Sequence, residues 1–248
     1  MSFTKSNDLV YATNKFLDGY IPTHPILVAG EKTVIVYVHG GGFRAGNEEN
    51  KVAKDFCEYM ASSGYYSYSI RYTLDGTIPS AVADVELAMD WIVQQGGVSK
   101  IFLAGDSAGA ITVLNIGAKN NSHVRGVIAV SGALYDNLSL LSKSTPPIML
   151  WHGTLDTIIP STYADAIVQR NKELGRNTVI YKHAANHAKT PYSTTDDGGT
   201  LFSKSLDFIT TPPPQVEVQQ PFRRVPPSII DALFLTSALS SRLLDEIC

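Results

Sequence analysis

Lys100-Ile101-Phe102-Leu103-Ala104-Gly105-Asp106-Ser107-Ala108-Gly109 is an apolar run that breaks into Gly-x-Ser-x-Gly, and residues 110–119 continue with the composition of a helix. Strand, pentapeptide and helix in that order predict a nucleophile elbow, a strained turn that lifts a serine hydroxyl off the backbone. Gly105 and Gly109 have a steric reason to flank Ser107. A Cβ at either place would collide with the adjoining strand or helix in so tight a turn. The five residues alone arise by chance, and their position between a strand-like and a helix-like run gives them meaning.

Upstream, residues 33–38 read as a buried strand that stops at His39-Gly40-Gly41-Gly42-Phe43. A glycine cluster directly after a strand lets backbone N–H groups approach a ligand. Such donors stabilise the negative charge that gathers on a carbonyl oxygen under attack. The N–H of the residue after the nucleophile, Ala108, completes a donor set of this kind. A flexible glycine turn or a phosphate loop is the competing reading of the glycines, and a phosphate loop calls for Gly-Lys-Ser/Thr at a helix start, which this sequence lacks.

A serine hydroxyl needs a base, and the base needs something to orient it. Downstream, residues 147–151 read as a strand that ends in His152-Gly153-Thr154-Leu155-Asp156, which puts Asp156 on the same sheet edge as Ser107. The alternative for Asp156 is a turn or capping residue ahead of Pro160. After a helix-like stretch at 161–174 and a strand at 178–182 comes Ala184-Ala185-Asn186-His187, so His187 sits in the loop where the base belongs. His183, at the end of that strand, is the competitor, with its side chain expected to lie along the sheet. His39 belongs to the donor loop, His152 braces the acid loop, and His24 and His123 read as surface residues.

His39-Gly40-Gly41-Gly42-Phe43 and Gly105-Asp106-Ser107-Ala108-Gly109, with Ile70-Arg71-Tyr72, residues 78–85 and Asp90-Trp91-Ile92 between them, resemble the hormone-sensitive-lipase-like group of α/β-hydrolases, microbial carboxylesterases included. The resemblance covers about residues 30–210. It implies an α/β-hydrolase fold with a mainly parallel central sheet and helices on both faces. It also implies an ester hydrolase with Ser107 as nucleophile, His187 as base, Asp156 as orienter, and Gly41, Gly42 and Ala108 as oxyanion donors. The chain departs from the family in two ways. Asn186 stands where members usually have glycine before the histidine, and the segments available for a helical cap are short. A minimal cap or none is therefore expected, with a shallow acyl pocket suited to short-chain esters. Arylformamidases, compact relatives with the same triad that split N-formyl amides, are the alternative enzyme reading. A non-catalytic small-molecule receptor on the same fold is a third.

At 248 residues, 44% hydrophobic and 17% charged, the chain can bury one sizeable core. Strand and helix patterns alternate from Val34 to Phe208, as in a parallel sheet between helices. A net charge of −3 without a Lys/Arg cluster gives no case for nucleic acid. Cys57 and Cys248 make no disulfide framework, the first eight residues have no signal-peptide pattern, and no apolar run reaches membrane-spanning length. The histidines lack zinc spacing. Expected, then, is a cytoplasmic enzyme with no cofactor or metal and no stable membrane insertion, acting on a small-molecule ester, with oligomeric state open. The domain reading is a catalytic domain at 1–210, a proline-rich linker at 211–227 and a helical tail at 228–248, whose helix would dock on the body, cover the pocket or bind a partner.

Overall fold

The computed structural model describes residues 2–212. Residues 213–248, which hold the expected linker and terminal helix except for Thr211 and Pro212, lie outside the described residues.

The chain opens with a hairpin, β1 (Phe3–Ala12) and β2 (Lys15–Pro22), followed by a short β3 (Leu27–Val28) and by β4 (Glu31–Val38). Then strand and helix alternate: α1 (Lys51–Ser62), β5 (Tyr66–Ile70), α2 (Ile78–Gln94), β6 (Val98–Asp106), α3 (Ala108–Ala118), β7 (Val124–Val130), β8 (Ile148–Gly153), α4 (Thr162–Glu173), β9 (Val179–His183) and α5 (Leu201–Thr210). The sheet runs β1-β2-β5-β4-β6-β7-β8-β9, with β3 pairing only to β4. Pairing is parallel from β5 through β4 to β9 and antiparallel at β1/β2, β2/β5 and β3/β4. It is the mainly parallel sheet expected, covered on both faces.

Strand periodicity divides the core. On β4, Val34, Val36 and Val38 face the layer of α2, α3 and α4, while Ile35 and Tyr37 face the layer of α1 and α5. Successive side chains on a strand point to opposite faces, so a strand buried on both reads as an unbroken apolar run. The helix α3 is buried along its whole length, which explains its lack of a polar face. The helix starts are local chemistry: Asn50 Oδ1 accepts the Val52 N–H at the head of α1, and Thr77 caps α2 with Pro79 in its first turn.

The N-terminal hairpin differs from the sequence reading, which placed the first clear strand at residue 33. Its signal is broken by a register shift between Ser6 and Leu9, where Asp8 takes φ 52°, and by the strand-averse Asp18, Gly19 and Pro22 in β2. Asp18 is tolerated because Lys5 Nζ lies 2.9 Å from its carboxylate.

At the C-terminal edge of the parallel strands the connections are loops or single turns. The stretch 131–147 holds one 3₁₀ segment, Tyr135–Leu140, and the stretch after β9 another, Thr190–Tyr192. Among the described residues no helical cap is inserted there.

Candidate active site

Ser107 stands between β6 and α3 with φ 52° and ψ −118°, a conformation L-residues rarely adopt. The turn is enforced by crowding. A Cβ on Gly109 would lie 1.9 Å from the Val38 carbonyl oxygen, and one on Gly105 would lie 2.6 Å from the Gly109 carbonyl carbon. Ser107 makes no side-chain cap for α3, which leaves its hydroxyl free to face His187.

His187 Nε2 lies 2.9 Å from Ser107 Oγ, and His187 Nδ1 lies 2.7 Å from Asp156 Oδ2. An ionised carboxylate only accepts, so Nδ1 carries the proton and Nε2 accepts from the serine. Asp156 is buried, and its Oδ1 also accepts the N–H groups of Ile158 (3.0 Å) and Ile159 (2.9 Å). Burial works to raise its pKa, but the hydrogen bonds from Ile159 and His187 outweigh it and hold the carboxyl below the usual range. The buried Ser131 hydroxyl faces the same carboxylate and adds to that effect, although it falls short of hydrogen-bond geometry. His152 Nε2 donates to Ile159 O at 2.8 Å and so closes the acid loop from below.

His183 lies elsewhere: its ring packs on Trp151 at 4.2 Å between centroids, and Nδ1 meets Thr194 O at 3.1 Å. Asn186, in the place of the family's glycine, has no positive φ. Its Oδ1 accepts the Lys189 N–H at 3.1 Å and its carbonyl accepts the Thr190 hydroxyl at 2.8 Å, so the residue caps the turn that carries His187. The closeness glycine would provide is supplied instead by Gly153, where a Cβ would meet Ala185 O at 2.2 Å.

The donor loop bends at Gly41 (φ 122°), Gly42 (φ 61°) and Phe43 (φ 63°), and Gly41 O accepts the N–H groups of Arg44 and Ala45. Among the described residues the N–H groups of Gly41, Gly42 and Ala108 find no protein acceptor, whereas Gly40 N–H is taken by Asp106 Oδ1 at 3.2 Å. His39 is structural: it is buried, stacks on Tyr72 at 4.4 Å, and its Nδ1 donates to Gly40 O at 2.6 Å. Tyr37, whose phenol reaches Asp106 at 3.0 Å, had no signal in the sequence beyond its place in a buried strand.

Asp8, Asp18 and Glu48 bring carboxylates close enough to chelate a cation, but Lys5 and Arg71 already neutralise them through ion pairs to Asp18 and Glu48. No helix among the described residues is long and apolar enough to cross a membrane.

Among curated relatives, the chain is 30% identical over 125 residues to the probable carboxylesterase 1 of Arabidopsis thaliana, a match covering 42% of this chain and 39% of that protein. The chain thus spans well under half the length of that relative. Its architecture is similar to that of a truncated carbohydrate esterase from gut microbiota (TM-score 0.72, 16% identity, 84% of this chain and 95% of the other). It is similar also to a thermophilic esterase of the planctomycete Thermogutta terrifontis (TM-score 0.62, 20% identity, 82% and 89%). Likenesses at such identity speak to the fold. A family model described as alpha/beta hydrolase fold matches residues 35–171, a span from β4 into α4 that takes in the donor loop, the elbow and the Asp156 loop. That span is more than half of the sequence, and by it the chain belongs to the α/β-hydrolase fold family.

Proposed function

We propose that this protein is a serine carboxylic-ester hydrolase that works through an acyl-enzyme. The observation that carries the reading is the unbroken relay from Asp156 Oδ2 through His187 to Ser107 Oγ, at 2.7 and 2.9 Å. Ser107 Oγ attacks the ester carbonyl carbon as its proton passes to His187 Nε2. The carbonyl oxygen, now negative, is held by N–H groups of Gly41, Gly42 and Ala108. When the intermediate collapses, the C–O bond to the alcohol breaks and His187 returns the proton to the leaving oxygen. Water then attacks the acyl-enzyme by the same steps and frees the acid.

Names of relatives agree with an ester as substrate, since carboxylesterases and esterases recur among them. Short acyl chains suit an edge that carries no helical cap among the described residues, because each further methylene gains at most about 0.8 kcal/mol and only where apolar wall buries it. The cytoplasm is the compartment that fits this reading, with Cys57 a buried free thiol.

Stoichiometric labelling by a fluorophosphonate, abolished in Ser107→Ala, tests the nucleophile. A series of p-nitrophenyl esters, with an N-formyl anilide beside it, tests the substrate class. Activity should peak at about two to six acyl carbons, and preference for chains of twelve or more, or for the formyl amide, would overturn the assignment.

A further inference from the structure

Asp106 sits between Gly105 and Ser107, at the end of β6, and touches neither His187 nor the serine hydroxyl through a hydrogen bond. Its Oδ1 accepts from the Tyr37 phenol at 3.0 Å and from Gly40 N–H at 3.2 Å. Tyr37 is fixed, since its ring is fully buried and packs on Phe56 at 5.0 Å. The other carboxylate oxygen fills the space that Gly40 leaves open: a Cβ there would lie 2.4 Å from Asp106 Oδ2.

Among the described residues this carboxylate has two neutral donors and no ion-pair partner. The residue is only part-buried, but the protein packed around its carboxylate keeps most water from it, a cost that pushes its pKa up against the pull of those hydrogen bonds. An apolar residue would avoid the cost but strand both Gly40 N–H and the Tyr37 hydroxyl without an acceptor. Beyond Gly40, Gly41 and Gly42 both occupy positive φ, which glycine itself does not dictate, so the loop's course is set by its ties: Asp106 on Gly40 N–H, His39 Nδ1 on Gly40 O, and the Arg44 and Ala45 N–H groups on Gly41 O. Fixing the Gly40 peptide fixes the starting plane for both.

We propose that Asp106 is a positioning residue: by accepting Gly40 N–H while held by Tyr37, it aims the following N–H groups of Gly41 and Gly42 at the carbonyl oxygen above Ser107. This rests on the ester-hydrolase reading given above. The carboxylate acts on the donor loop and meets no substrate atom. The residue that precedes the nucleophile thereby couples the elbow to the oxyanion donors, two segments that are 66 residues apart in sequence.

Steady-state kinetics of the wild type, Asp106→Asn, Asp106→Ala and Gly40→Ala on one p-nitrophenyl ester test this, together with inhibition by a trifluoromethyl ketone, whose hemiketal with Ser107 places an oxyanion among these donors. Asp106→Asn keeps the acceptor oxygen and should stay within about threefold of wild-type kcat. Asp106→Ala should lose about 10²- to 10³-fold in kcat, the range for loss of an oxyanion donor, with KM little changed and ketone affinity weakened in parallel. Gly40→Ala, which displaces the loop from an intact carboxylate, should show the same signature and serves if Asp106→Ala does not fold. The proposal is overturned if Asp106→Ala or Gly40→Ala keeps kcat within threefold, or if Asp106→Asn falls as far as Asp106→Ala. A wild type that neither hydrolyses any ester nor takes up the fluorophosphonate would sink the ester-hydrolase reading itself, and the inference with it.

Discussion

Trp151 Nε1 donates to Thr190 O across 2.8 Å, and by that bond the strand leading to Asp156 grips the loop that carries His187. The indole is fully buried, and Thr190 in turn holds Asn186 O through its hydroxyl. Asp156 and His187 come from segments 31 residues apart in sequence, so their spacing depends on such ties. Trp151→Phe would keep most of the apolar volume and strand the Thr190 carbonyl. It should lower stability by about 1–3 kcal/mol and reduce kcat more than it raises KM. Urea unfolding with parallel kinetics checks both, and an unchanged midpoint would show that the bond contributes nothing.

Ser107 offers a test of stored strain. Loss of the hydroxyl in Ser107→Ala should lower kcat by about 10⁴-fold or more with the fold intact, but alanine inherits the φ of 52°. Ser107→Gly relieves it. A strained position of this kind costs on the order of 1–3 kcal/mol, and a glycine's extra chain entropy offsets part of the relief. The glycine variant should therefore unfold at higher urea than the alanine variant while being equally inactive. The reverse order would mean that the turn is unstrained.

The two histidines near the end of β9 should separate cleanly. His187→Ala should be nearly as damaging to kcat as loss of Ser107. His183→Ala should cost stability, because it empties a buried site against Trp151, and should leave kcat close to wild type. Kinetics and melting of the pair decide it; a large kcat loss in His183→Ala would move the base.

Stability should fall on the acid side of about pH 6.5, the unperturbed histidine value. Burial lowers the pKa of His39, His152 and His183 in the fold. The unfolded chain then binds protons that the folded one refuses, so stability is whole above the unfolded value and is lost as pH drops toward the folded values. Asp156, also lowered, adds a further loss as pH falls below the usual carboxylate range. Asp106, raised by burial, has the opposite sign and regains a little stability on protonation. Melting temperatures between pH 8 and pH 2 give the sum, and a Tm that climbs on acidification would contradict it.

Much of this arrangement was legible in the chain because steric demands wrote it there. Gly105 and Gly109 admit no side chain, so the elbow shows in the letters, and His187 followed from chain order and loop placement. Other parts leave no such mark. The hairpin was hidden by a bulge at Asp8 and by Asp18, whose burial makes sense only with Lys5 beside it. That Gly40 N–H is already spent on Asp106, while those of Gly41 and Gly42 meet no acceptor among the described residues, depends on a contact between distant segments. Asn186 departs from the family's glycine pattern, and only the geometry of its turn, relieved at Gly153, explains why the side chain fits.

The complete burial of α3 has an electrical consequence. The helix begins at Ala108, and its peptide dipoles present a positive end of roughly half a charge where an oxyanion on Ser107 would form. At a surface, ions within a Debye length of about 8–10 Å would mute such a field. Here every residue of the helix is walled in by strand and helix, so dissolved ions have no path along its flanks. An oxyanion at its head would feel a field set by the fold along the helix, with dissolved ions able to screen it only from the open side of the site.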